Sequence, residues 1–134
     1  MELMQTPIDV TGIERCIDVA ESIGFHLART ALWNGDMCNW VGSAADMVNG
    51  SFQLVEKAFD ADVYNGTAGI ALFLSLLLEQ RHDDIISETL KGAVNHMIKN
   101  CGNEQLGNYG YFGGSLGVGI GGRSCGCRRG VLAR

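Results

Sequence analysis

The first residues that could do chemistry are Cys125 and Cys127, which are separated by one glycine. Two thiols this close together can bind a metal ion, but a structural zinc site needs four ligands. The chain has no second close pair of cysteines, and its histidines are scattered at positions 26, 82 and 96. The sequence therefore favours an incidental cysteine pair and predicts no metal site.

A second candidate is the glycine-rich stretch at residues 117–122, GVGIGG, which satisfies the pattern G-x-G-x-x-G. In a dinucleotide-binding protein this pattern joins a strand to a helix, with an acidic residue further on. No convincing strand precedes the stretch, and only twelve residues follow it. A turn between repeated units is therefore the favoured interpretation.

The spacing of apolar residues predicts that the elements that position such residues are mainly helices. Apolar residues recur at intervals of three and four from residue 13 to residue 31, which predicts a helix over about 12–31 with a capping box at Thr11 and Glu14. Residues 66–80 are apolar on nearly every face, which predicts a fully buried inner helix. Residues 84–99 carry one apolar stripe, which predicts an outer helix capped by Asp83 or Asp84.

Two stretches give no clear pattern. Residues 32–50 contain both tryptophans and three glycines and are left unassigned. Residues 51–59 could form a short helix, but the pattern is too brief to decide.

A motif before the inner helix occurs twice in the chain. YNGTAGI at 64–70 aligns with FGGSLGV at 112–118, an offset of 48 residues. A repeat at this period is typical of a repeated supersecondary unit. We assign a structural role in the repeat to eight residues: Tyr64, Gly66, Thr67, Gly69, Phe112, Gly114, Ser115 and Gly117. The glycines would allow close backbone approach, and the hydroxyls would bond the first N–H groups of each helix.

The predicted fold class is therefore all-α, a partial α/α toroid built from repeated helical hairpins. The predicted divisions are an N-terminal helix at 1–34, repeats at 35–122 with motifs at 62–80 and 110–121, and an atypical basic tail at 123–134. The tail carries four arginines and no acid, whereas residues 1–122 carry 15 acids and 6 bases, a net charge of −9. The tail is expected to be a truncated or frame-shifted end.

Composition limits the partners and the compartment. A net charge of −5 argues against nucleic acid as a partner. The longest apolar stretch, residues 68–78, is about half of what a bilayer crossing needs, so no membrane span is expected. Five irregularly spaced cysteines and an N-terminus without a signal-peptide pattern predict a cytoplasmic protein.

The stretch DVYNGTAGIALFL at 62–74, followed by the second motif, resembles the lanthionine synthetase C-like (LanC-like) family. The segment from Trp40 to Gly42 and the spacing to Tyr64 look most like the cyclase domain of bifunctional lanthipeptide synthetases. The resemblance implies a zinc-dependent cyclase that closes thioether rings by adding peptide cysteines to dehydroamino acids. It also implies a precursor peptide as partner, and a position analogous to a catalytic aspartate at Asp62.

The family's zinc-binding motifs are not found in this sequence, so the resemblance implies an N-terminal fragment with no zinc and no activity of its own. Whether the chain is an enzyme is left open. One alternative is a non-catalytic module that binds a peptide or protein. Another is part of a different α/α-toroid enzyme such as a glycosidase, which needs paired carboxylates where the motif turns offer only Asp62. An apolar helix without enough neighbours also predicts self-association.

Overall fold

A computed structural model describes residues 9–64 and 66–100 of the chain. The elements in chain order are helix α1 (Val10–Thr30), strands β1 (Leu32–Asn34), β2 (Met37–Asn39), β3 (Val41–Val48) and β4 (Ser51–Ala58), and helices α2 (Thr67–Gln80) and α3 (Asp84–Asn100). The second motif, the glycine-rich stretch and the basic tail lie outside the described residues. The divisions at residues 34 and 122 therefore stay predictions.

All three predicted helices are confirmed, each to within about two residues at its ends. The capping box is wrong, because the residue at the N-cap of α1 is Asp9 and Thr11 lies inside the helix. The cap of α3 is confirmed, since the Asp83 carboxylate accepts hydrogen bonds from the N–H groups of Ile85 and Ile86 at 2.8 and 3.1 Å. Among the described residues, no helix has the length and apolar character that crossing a membrane requires.

The unassigned region folds into two β-hairpins. Strands β1 and β2 are joined by Gly35 and Asp36, and strands β3 and β4 by Asn49 and Gly50. Asn49 and Gly50 have φ values of 53° and 83°, which is the left-handed conformation of a type I′ turn. This turn matches the twist of the flanking strands, and it fixes the register from Val48–Ser51 to Val41–Ala58.

The all-α prediction, the partial α/α toroid and the repeated helical hairpin are therefore wrong. The described chain is an α+β domain of three helices and four strands in two antiparallel sheets. The stretch offered as a short helix, residues 51–59, is strand β4 for almost all of its length. Each of its residues from Ser51 to Ala58 pairs with a residue of β3, so this segment is a strand and not a helix.

A helical body, residues 10–40 and 67–100, contains most of the core. Helix α2 packs on α3, α3 packs on β2, and α1 packs on both helices. The core residues are Cys38, Trp40, Ala61, Ala68, Ala71, Leu74, Leu77, Ile86, Leu90, Ala93, Val94 and Met97. The prediction of an α2 buried on every side is wrong, because Leu76 is 52% exposed. The apolar stripe of α3 is confirmed except at Ile98, which is 53% exposed.

The two strands of the β3–β4 hairpin contact each other extensively, and the hairpin projects from the helical body. One face of the hairpin carries the cross-strand pairs Val41–Ala58, Ala45–Leu54 and Met47–Phe52. These apolar side chains are exposed, Leu54 to 82% and Phe52 to 75%. We call this surface the outer face. The opposite face, with Gly42, Ala44 and Lys57, is turned toward the helical body.

Candidate functional site

An open groove of about 690 Å³ lies between the foot of the β3–β4 hairpin and the start of α2. It is lined by Leu27, residues 42–45 of β3, residues 57–60, Val63, Tyr64, Gly66, Gly69, Ile70 and Phe73. Five of these apolar side chains also pack against the core: Leu27, Phe59, Val63, Ile70 and Phe73. The groove therefore has an apolar floor that belongs to the folded body.

The β3 wall of the groove is made of small residues. Residues 42–45 read Gly-Ser-Ala-Ala, and all four line the groove. Consecutive residues of a strand point to opposite faces, so four in a row bring the backbone of β3 to the groove as well as its side chains. At Gly42 a Cβ atom would lie 2.5 Å from the ring of Phe59, which occupies that space.

Among the described residues, no strand pairs with the edge of β3 that faces away from β4. The Phe59 N–H donates to the Trp40 carbonyl at 2.9 Å, so that pair is hydrogen-bonded, as is the pair that closes a type I′ turn. Hydrogen-bonded and non-hydrogen-bonded pairs alternate in an antiparallel ladder. Ser43 and Ala45 thus belong to non-hydrogen-bonded pairs, and their N–H and C=O groups point away from β4. In the described part of the chain, β3 has no strand neighbour other than β4.

Two charged side chains of opposite sign line the groove. Lys57 lies on β4 directly opposite Gly42, and Asp60 follows Phe59 just beyond the end of β4. The Lys57 ammonium forms no ion pair with any residue in 9–64 or 66–100. Tyr64, 78% exposed, lies at the rim. The groove therefore offers one cationic and one anionic group to a ligand.

The loop from Asp60 to Gly66 joins the groove to α2 and explains the glycines of the first motif. Asp60 and Gly66 form a short parallel bridge, and a Cβ at Gly66 would overlap the Asp60 carbonyl oxygen. A Cβ at Gly69 would overlap the carbonyl oxygen of Val63 in the same way. The φ and ψ angles of Gly66, −145° and −171°, are those of extended backbone. Glycine is therefore required here by the close approach of the Asp60 carbonyl and not by an unusual φ. Both glycines therefore lie where the backbone of the preceding loop approaches closely.

The Thr67 hydroxyl does not cap α2 as expected. Its Oγ1 lies 3.0 Å from Nδ1 of His96 on α3 and 3.4 Å from the carbonyl oxygen of Asp60. The Thr67 N–H donates to that same carbonyl at 2.9 Å. Thr67 thus joins the groove loop to α3, a role that the sequence analysis did not predict.

A hydroxyl beside an imidazole is also the geometry of an activated nucleophile. Here Thr67 has no exposed surface, so a substrate cannot reach its oxygen. Burial lowers the pKa of His96, and the carboxylate of Asp60 offsets part of that effect. The neutral imidazole is therefore the favoured form, and its hydrogen bond with Thr67 joins the start of α2 to α3.

The described cysteines and histidines do not assemble a metal centre. No group of three or more His, Cys, Asp or Glu residues converges within the described ranges. Cys38 is buried, and its Sγ lies 3.4 Å from the carbonyl oxygen of Thr89. Burial raises the pKa of Cys38 to about 12, so its thiol stays protonated. Metal ions bind the thiolate, and this thiol does not supply one.

The candidate catalytic residue of the sequence analysis, Asp62, is buried at 6% exposure in the loop before α2. Asp60, and not Asp62, lines the groove, together with three of the assigned motif residues, Tyr64, Gly66 and Gly69. Phe112, Gly114, Ser115 and Gly117 fall outside the described residues. The structure brings Thr67 together with His96, 29 positions away.

No family model, no curated protein and no solved structure matches this chain. The resemblance to the LanC-like family, including its bifunctional synthetases, is therefore not supported, and the two antiparallel sheets contradict it. The family zinc and the precursor peptide rested on that resemblance alone.

Proposed function

We propose that the chain is a non-catalytic binding module that holds an extended peptide segment of a partner protein in the groove. One observation carries the proposal: Ser43 and Ala45 line the groove, and their backbone N–H and C=O groups point away from β4. A peptide that pairs with this edge continues the sheet by one strand. Backbone hydrogen bonds supply affinity in this mode of recognition, and alternate side chains supply specificity.

The groove-lining part of β3, residues 42–45, lacks the features that usually protect an exposed edge, and the one charged residue of the strand, Asp46, lies beyond it toward the turn. Proteins block such edges with proline, with lysine, with a bulge or with a covering element. Residues 41–48 contain no proline and no lysine, and their pairing with β4 is continuous without a bulge. The open edge therefore favours strand addition over an inert surface.

Three further expectations accompany the proposal. The net charge of −5 favours a peptide over a nucleic acid as the ligand. A cytoplasmic setting remains our proposal, supported by the two described cysteines, Cys16 and Cys38, which form no disulfide. Self-association also remains a proposal, and the outer face, with Phe52 at 75% exposure, is the surface that favours it.

The test is a selection of random heptapeptides on the folded protein, followed by two-dimensional NMR with the selected peptides. We expect the backbone amide signals of Ser43 and Ala45 to shift on titration. The variant Ala45→Pro removes an N–H group that does not bond β4, so the hairpin should persist. The added peptide strand, however, loses this hydrogen-bond donor and clashes with the proline ring. We expect this variant to lose peptide binding.

The matched control is Glu56→Pro, which places the same ring on the opposite edge of the hairpin, outside the groove. This variant should keep the peptide affinity of the parent protein. Peptides that bind Ala45→Pro as well as the parent, or amide shifts confined to other surfaces, would refute strand addition at β3.

A further inference from the structure

We infer that the groove selects extended peptides that carry an acidic, a bulky apolar and a basic side chain at alternate positions, in that order from the N-terminus. This inference rests on the proposed function, because it names the ligand class of the same groove. It follows from three groups of the structure: Lys57, the Phe59 ring and Asp60.

The alternate positions follow from the register of the hairpin. A ligand residue opposite Ser43 or Ala45 bonds their backbone, and its side chain points to the outer face. The ligand residues opposite Ala44 and Gly42 point to the other face, toward the helical body and the groove floor. Every second ligand side chain therefore enters the groove.

The position opposite Gly42 takes the bulky apolar side chain. Gly42 has no side chain of its own, and the ring of Phe59 lies over it. Phe59 is partly buried and packs on the core, as do Ile70 and Phe73 on the groove floor. A ligand side chain at this position therefore contacts an apolar surface that the fold holds in place.

The charged positions flank the apolar one. Lys57 pairs with Gly42 and lines the groove, and Ala44, which also lines it, is the diagonal neighbour of Lys57 in the hairpin. A ligand acid opposite Ala44 meets the Lys57 ammonium. Asp60 lies at the other end, next to Phe59, where a ligand base meets its carboxylate.

The order of the charges follows from the direction of the added strand. Antiparallel pairing is slightly more stable per residue than parallel pairing, so the ligand runs from the turn of the hairpin toward its foot. It therefore passes Ala44 first, then Gly42, and then the level of Asp60. A parallel ligand would need the two charges in the reverse order.

The experiment compares two blocked heptapeptides of identical composition, TETFTKT and TKTFTET, by calorimetric titration and by NMR on the full chain. We expect TETFTKT to bind at least about threefold more tightly, since each exposed ion pair contributes a modest amount. Lys57→Glu should remove or reverse this preference. Lys99→Glu makes the same change of net charge on α3, outside the groove, and should leave the preference unchanged.

Tighter binding of TKTFTET to the parent protein would overturn the inferred order. Equal binding of both peptides, with shifts at Ser43 and Ala45, would overturn the charge selection and leave strand addition intact. If the amide signals of Ser43 and Ala45 respond neither to these two peptides nor to any selected peptide, the proposed function itself is wrong. Replacement of the peptide phenylalanine by alanine should abolish measurable binding, and retained affinity would contradict the apolar position.

Discussion

The helical body and the β3–β4 hairpin differ in how far their leucine side chains are buried. Leu90, on α3, has no exposed surface, whereas Leu54, on β4, is 82% exposed. The body is held by packing between elements that are distant in the chain, and the hairpin by pairing between neighbouring strands. Within the described residues, the apolar side chains of the helical body form a core, and those on the outer face of the hairpin are exposed.

The largest expected effect is in the body. Leu90→Ala removes a fully buried side chain and leaves a cavity, so we expect the free energy of unfolding to fall by about 3 kcal/mol. Urea denaturation monitored by circular dichroism measures this change. The same substitution at Leu54 is the matched control and should change the free energy of unfolding by less than about 0.5 kcal/mol. A Leu54→Ala loss as large as that at Leu90 would show that the outer face is covered.

A smaller effect separates two kinds of glycine. Gly66→Ala places a Cβ against the backbone carbonyl of Asp60, and we expect a loss of about 2 kcal/mol from overpacking. Gly50→Ala meets no atom within 4 Å, but its φ of +83° is strained for alanine, which costs about 1 kcal/mol. Thermal unfolding of both variants tests this order. If Gly66→Ala is neutral, the groove loop is not held against α2 as the structure has it.

The smallest expected effect is a dependence on pH. Burial lowers the pKa of His96 below its ordinary value of 6.5, so the unfolded chain takes up the proton first as the pH falls. Stability should therefore decline as the pH falls below about 6.5 and level off once folded His96 is protonated. His96→Gln should reduce this slope in urea titrations between pH 7 and 5. His26→Gln, at an exposed position, should retain it, and an equal slope in both variants would contradict the assignment to His96.

The helices could be predicted from the sequence because apolar residues recur at helical spacing in α1 and α3 and form one long run in α2. The hairpins were missed although each turn carries a signal. Asn49-Gly50 is the strongest short hairpin signal, and Gly35 occupies the first central position of the other turn. In β3 and β4 apolar residues point to solvent, so the inside–outside alternation of a half-buried strand was obscured.

The candidate site could be predicted only in part. Glycine at 66 and 69 is a residue type that permits close approach of another backbone, and the carbonyls of Asp60 and Val63 lie at these two positions. The contact between Thr67 and His96, and the groove itself, depend on how α2, α3 and the hairpin pack together. Spacing along the chain carries no signal for such a contact.

The buried thiol of Cys38 has a consequence for oxidative chemistry. Because burial raises the pKa of Cys38 to about 12, very little of this thiol is ionised at pH 7. Oxidation and disulfide exchange proceed through the thiolate, so this side chain is protected from both by its position against α3. Cys16 is exposed on α1 and is not protected by burial. Oxidants that reach the described part of the chain therefore meet a surface cysteine and leave the core sulfur unchanged.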